Sequence, residues 1–155
     1  MSHQSIRKII FTGPESTGKS TAAMKMALQH RLPIAYEYAR THLEEHGPQY
    51  TMSDLYTILE KQYDAEEAAH AQGEVIVCDT DWLTIHVWAA EVYGKVIKPP
   101  RDLDERYYIL CPPDIPWEPD PLRENPMDRD RLYQIYQEKL LYYDLEFEVL
   151  RRKLQ

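Results

Sequence analysis

Residues 13–20 read GPESTGKS and follow an apolar, β-branched run at residues 6–12. The pattern G-x-x-x-x-G-K-S, set between a strand and a helix, is that of a phosphate-binding loop. Gly13 and Gly18 admit backbone dihedrals closed to most residues, so successive N–H groups turn inward around an anion. Lys19 then reaches the β- and γ-phosphates of ATP, and the Ser20 hydroxyl is a natural Mg²⁺ ligand. The helix that follows points its positive end at the same oxygens. Glu15, Ser16, Thr17 and Thr21 complete the loop and the first helical turn, and join Gly13, Gly18, Lys19 and Ser20 as expected ATP contacts.

Such a loop needs a strand before it and a helix behind it, and the rest of the chain repeats that alternation. Residues 19–30 have a helical pattern that Pro33 breaks. A short strand at 34–36 leads into a helix at 37–46, which Gly47-Pro48 ends. Thr51 with Asp54 is a capping-box signal for a helix carrying Leu55, Ile58, Leu59, Gln62 and Ala69 on one side. Gly73 lies just past its last turn, where a left-handed residue is favoured. A buried strand is expected at 74–79, an aromatic-rich helix at 83–93 and a further strand at 106–111. In the last helix Leu132, Ile135, Leu140, Tyr143, Phe147 and Leu150 keep one apolar face over roughly five turns. The chain then ends in LRRKLQ, so no strand is expected after that helix.

Strands alternating with helices imply an α/β fold, a three-layer P-loop NTPase with a mainly parallel sheet flanked by helices. A length of 155 residues suits one domain, residues 1–155. The prolines at 112–126 exclude regular strand or helix, so a lid or flap is expected at about 112–131.

Charge and composition narrow the partners. A formal charge of −8 argues against a nucleic-acid backbone, which requires a basic surface. No run of eighteen apolar residues spans a membrane, and the opening MSHQSIRKIIF lacks the features of a secretory signal, so a cytoplasmic protein is expected. Cys78 and Cys111 each close an apolar, strand-like run and read as buried thiols.

A phosphate loop alone does not say where the phosphate goes. The run VIVCDTD places Asp79 and Asp81 at and just beyond a strand's carboxyl end, where ligands of open α/β sheets gather. Asp79 suits a Mg²⁺ ligand, directly or through water; the plainer alternative is a cap on the next helix. The segment YEYAR sets Glu37 and Arg40 on one helical face. Glu37 suits a base for a substrate hydroxyl or a ribose contact, and Arg40 an anion clamp; an intrahelical ion pair would also account for them. The flap brings Arg123 and Arg129, with Arg131 behind, as cations to close over a transferring phosphate. The HLEEH of residues 42–46 matches a zinc-peptidase pattern, but its glutamates look solvated and no third ligand is marked.

GPESTGKS, YEYAR, CDTD and WEPDPLRE, in that order, resemble the ribosylnicotinamide kinase domain of the NadR type, over nearly the whole chain. The resemblance implies transfer of the ATP γ-phosphate to the 5′-hydroxyl of nicotinamide riboside, a small-molecule partner, with Mg²⁺ as cofactor. It implies catalytic roles for Lys19, Asp81, Glu37 and Arg123, ATP contacts including Arg129, and substrate contacts at Tyr36, Glu37, Arg40, Asp81 and Trp82. Either Asp81 or Glu37 would be the base. Tyr36, Tyr38, Trp82 and Trp88 could offer aromatic faces to a cationic pyridinium, although such residues are commonly core. No H-x-G-H adenylyltransferase motif is present.

Overall fold

A computed structural model of the chain describes residues 5–114 and 128–151. Strand β1 (Lys8–Thr12) is followed by α1 (Lys19–His30), β2 (Ile34–Ala35), α2 (Tyr38–His46) and α3 (Met52–His70). Next come β3 (Ile76–Asp79), α4 (Trp82–Tyr93), a single 3₁₀ turn at Leu103–Glu105, β4 (Arg106–Leu110), α5 (Arg129–Tyr142) and β5 (Glu146–Val149). The strands form one parallel sheet in the order β2-β3-β1-β4-β5.

Alternation along the central strands makes the three layers. Ile10 of β1 pairs in register with Cys78 and Tyr108, and all three belong to a large core with Leu55 and Ile58 of α3, Leu83 of α4 and Leu140 of α5. One residue on, Phe11 turns to the other face and joins Val77, Ile109 and the small Ala23 and Ala27 of α1. Because the sheet is covered on both faces, β3 is buried at all four positions, as a central parallel strand requires. Cys78 and Cys111 are buried free thiols.

Local chemistry ends the helices largely where the sequence suggests. Thr51 and Asp54 form the reciprocal capping box, with bonds of 2.8 and 3.1 Å. Gly47 closes α2 and Gly94 closes α4, both at positive φ. Gly73 behaves otherwise: α3 ends at Ala71 in a right-handed conformation, and Gly73 does not have a positive φ. Its lack of a side chain serves packing, because a Cβ there would lie 3.2 Å from the Pro33 ring.

The C-terminal region corrects the sequence reading more substantially. Helix α5 stops at Tyr142, Asp144 takes a left-handed turn at φ 53°, and β5 pairs with β4 from Tyr107↔Glu146 to Leu110↔Val149. Phe147 and Leu150 therefore reach the core from a strand and its end, not from a fifth helical turn. A further strand does follow the last helix.

Leu140 is fully buried whereas its neighbour Leu141 is 66% exposed. Leu140→Ala is expected to cost about 2–5 kcal/mol of stability. Leu141→Ala should stay within about 0.5 kcal/mol of the parent, with urea unfolding measuring both.

Candidate active site

The phosphate loop leaves β1 through a backbone crossing that only glycine allows. The Cys111 N–H donates to the Thr12 carbonyl at 2.8 Å, which draws the end of β4 against the loop. Gly13 has φ 133°, and a Cβ on it would fall 2.6 Å from the Cys111 carbonyl oxygen. Ser16 at φ 55° and Gly18 at φ 75° complete the curl. Gly18 is the N-cap of α1 and supplies no side-chain oxygen, so the helix opens with N–H groups directed at a ligand position. Across the curl, Thr17 Oγ1 and Lys19 Nζ both donate to the Pro14 carbonyl, at 2.9 and 2.8 Å. Thr21, in the first turn of α1, is exposed.

Two elements bring partners to the loop. Asp79, the last residue of β3, sits in register beside Phe11, and its Oδ2 accepts from Ser20 Oγ at 2.6 Å. Arg129, the first residue of α5, donates from Nη1 to the Ser16 carbonyl at 2.9 Å. Arg131 instead turns outward to Glu91 and Asp128. Arg123 lies outside the described residues, as does most of the expected flap.

Beside the loop is a small pocket shared by Pro14, Glu15, Lys19, Glu37, Thr84 and Trp88, among others. Glu37 enters it as the buried N-cap of α2. Its position is set from behind by Gln62 of α3, which is 2% exposed. Gln62 Oε1 accepts from the Tyr38 N–H at 2.9 Å, and Gln62 Nε2 donates to the Tyr36 carbonyl at 3.2 Å. The backbone is thus clamped on both sides of Glu37. Sequence reasoning placed Gln62 only on the packed side of its helix; a buried amide among aliphatic residues was the available signal, since its four hydrogen-bonding groups require partners.

Trp88 and Tyr136 are the aromatic side chains of the pocket, and Trp88 stacks on Tyr50 at 5.5 Å between ring centroids. Tyr36 is 60% exposed and lines a second recess, which shares Glu37 with this pocket. Arg40 Nε donates to Glu44 Oε1 at 3.1 Å, one turn further along α2.

Neither Asp81 nor Trp82 lines this pocket. Thr80 takes φ 67° after β3 and turns the chain inward. Asp81 then caps α4 through Oδ1, which accepts from the Leu83 N–H at 3.1 Å. Its Oδ2 accepts from Tyr108 Oη at 2.6 Å and from Arg106 Nη1 at 3.0 Å. Trp82 is fully buried and donates from Nε1 to Tyr108 Oη at 3.1 Å. The helix cap suspected at Asp79 is supplied by Asp81, and Asp79 faces the phosphate loop.

Arg106 is 1% exposed and also binds Glu66, at 2.7 and 3.1 Å, and Asp102 at 2.9 Å. Lys8 bonds to Asp102 and lies 3.7 Å from Glu66. Two cations thus face three carboxyl groups in the interior. Burial pushes the Asp81 carboxyl up to about 6 against the opposing pull of Arg106, so below that pH one retained proton neutralises the set. A folded-state pKa above the unfolded value means that the native state binds this proton more tightly, so its contribution to stability falls as pH rises from about 4 to about 6. Urea unfolding across that interval should show the parent losing stability relative to Asp81→Asn, with the difference level above it.

Among the described residues, no group of three or more His, Cys, Asp or Glu is arranged to hold a metal, and no helix is long and apolar enough to cross a membrane. His42 and His46 have ring centroids 4.5 Å apart, with His42 Nε2 3.5 Å from Asp54.

The chain is 27% identical over 154 residues to the trifunctional NAD biosynthesis/regulator protein NadR of Salmonella typhimurium. It is 27% identical over 157 residues to that of Escherichia coli. Each match covers 92% of this chain but 37% of the relative, so the chain spans little more than a third of the curated relatives' length. Among solved structures, NadR in complex with NAD and AMP-PNP superposes with a TM-score of 0.72 at 21% identity, covering 96% of this chain and 44% of that one. NadR in complex with NR gives 0.71 at 20% identity, over 95% and 45%. Thymidylate kinase from Ehrlichia chaffeensis gives 0.58 at 13% identity, over 98% and 90%. These likenesses identify the P-loop kinase fold, with its parallel sheet flanked by helices. Across residues 8–154 the chain matches the family described as an AAA domain, and it belongs to that family.

Proposed function

We infer that the protein is a small-molecule kinase that transfers the γ-phosphate of ATP to a riboside hydroxyl, with nicotinamide riboside as the acceptor. The observation that carries this reading is the meeting of Lys19 and Glu37 in one pocket. A phosphate-binding cation and a carboxylate base then flank the place where an acceptor hydroxyl would stand.

In this mechanism the loop N–H groups and Lys19 hold the triphosphate and neutralise charge that develops on the transferring group. Ser20 and Asp79 offer adjacent hard oxygen donors that would hold Mg²⁺, which when bound would offset phosphate charge. Glu37 accepts the proton of the acceptor hydroxyl as its oxygen bonds to the γ-phosphorus and the bond to the β-phosphate oxygen breaks, releasing ADP. Arg129, already against the loop at Ser16, supplies a second cation on the α5 side. Trp88 offers an aromatic face to a cationic pyridinium, which favours a nicotinamide riboside over a neutral nucleoside. The similarity to NadR over 92% of the chain supports the same acceptor.

Incubation with Mg-ATP and a panel of nucleosides that includes nicotinamide riboside, followed by separation of ADP and phosphorylated product, tests the assignment. Nicotinamide mononucleotide should form fastest. Another phosphorylated nucleoside as the main product would move the acceptor, and ADP without any phosphorylated nucleoside would point to a nucleotide sensor.

Glu37→Gln should lower turnover by about 10² to 10⁴-fold while leaving ATP affinity in place. Gln62→Leu should lower kcat by about 10²-fold through misplacement of Glu37, again with ATP binding retained in a fluorescent-nucleotide titration. Equal loss of nucleotide binding would assign Gln62 to the fold alone.

A further inference from the structure

The largest cavity among those described, about 660 Å³, lies at the amino end of the sheet. Its floor includes Lys8 and Arg106, the first residues of β1 and β4, whereas the phosphate loop follows the last residue of β1. A five-residue strand therefore separates the two sites, roughly 13 to 17 Å of chain. Nothing in the proposed phosphoryl transfer uses this space.

One wall is α3, where Tyr56 and Tyr63 stand seven residues apart and hence share a helical face. The opposite wall is the segment after α4, with Val96 and the Pro99-Pro100 pair. Apolar walls over a few fixed polar groups, at a volume in the range of about 300–1,000 Å³, are the features of a small-ligand site. Aromatic and proline surfaces on facing walls suit a flat ring.

Charge at the mouth selects the rest of the ligand. The floor groups Lys8, Glu66, Asp102 and Arg106 satisfy one another in the ion-pair network described above. Lys98 and Arg101 also line the cavity, are exposed, and form no ion pair with an acid among the described residues. Glu67 is the one exposed acid opposite them in the lining, which leaves the rim with an excess of one positive charge. In a protein of net charge −8 this is a local reversal.

We propose that this cavity is a second small-molecule site, separate from the phosphate loop, that takes a planar aromatic anion with its ring between α3 and the proline wall and its charge at Lys98 and Arg101. The site does not depend on the kinase reading, since none of its lining residues belongs to the pocket beside the phosphate loop.

Anilinonaphthalenesulfonate, an aromatic anion whose emission rises on leaving water, is the probe. The native protein should bind it saturably at one site, with an affinity unchanged by saturating Mg-ATP. Reversing both rim charges, Lys98→Glu with Arg101→Glu, should weaken binding by about tenfold or more. Val96→Trp, at a position 72% exposed, should weaken it by narrowing the mouth. Lys25→Glu, an exposed change on α1, controls for net charge and should leave it unaltered. Absence of saturable binding, displacement by Mg-ATP, an unchanged affinity in the double variant, or equal weakening by Lys25→Glu would each overturn the proposal.

Discussion

A buried guanidinium joins parts of this molecule that are far apart in sequence. Arg106 takes carboxylates from α3, from the cap of α4 and from the turn that precedes its own strand. Leaving such a charge unpaired in the interior would cost several kcal/mol, so these elements can vary in position only within the reach of ideal ion-pair geometry. The constraint matters for the pocket beside the phosphate loop because α4 carries Thr84 and Trp88 into it, and α3 carries the Gln62 that holds Glu37. The phosphate loop has its own local causes. The opposite wall of the pocket inherits its position from a network buried beneath the sheet.

How much was legible beforehand follows from the range of each cause. The phosphate loop could be read residue by residue because its glycines, lysine and serine answer to requirements within one turn of chain. Thr51 with Asp54, and Gly47 after α2, are equally local. The surroundings of Asp81 could not be read because its partner is Arg106, twenty-five residues away, and nothing in CDTD marks a carboxylate that turns inward after Thr80. The C-terminal strand was missed for a different reason. Leu140, Tyr143, Phe147 and Leu150 satisfy a helical spacing, while Glu146 to Val149 satisfy a strict alternation. Only the pairing with β4 decides between the two periods.

The two ends of the sheet have different chemistry, and the parallel topology accounts for it. Every strand delivers its carboxyl end to the same side, where α1 opens toward the phosphate loop and Asp79 meets Ser20. The amino ends gather on the far side, where Lys8 and Arg106 require acidic partners from α3 and the neighbouring turn. The match to the AAA-domain family runs through both ends, from residue 8 to residue 154.

The outermost strand has a consequence for how the protein behaves in concentrated solution. Among the described residues β5 ends the sheet on the side opposite the two-residue β2, and along it Glu146 and Glu148 are exposed while Phe147 and Val149 face inward. An unpaired strand edge is a template for another copy of itself, and identical glutamates brought into register would repel. The opposite edge offers a partner only two residues of ladder. Both margins therefore discourage edge-to-edge growth of the sheet, which suits an acidic protein whose interior strands are otherwise rich in the residues that stack into fibrils.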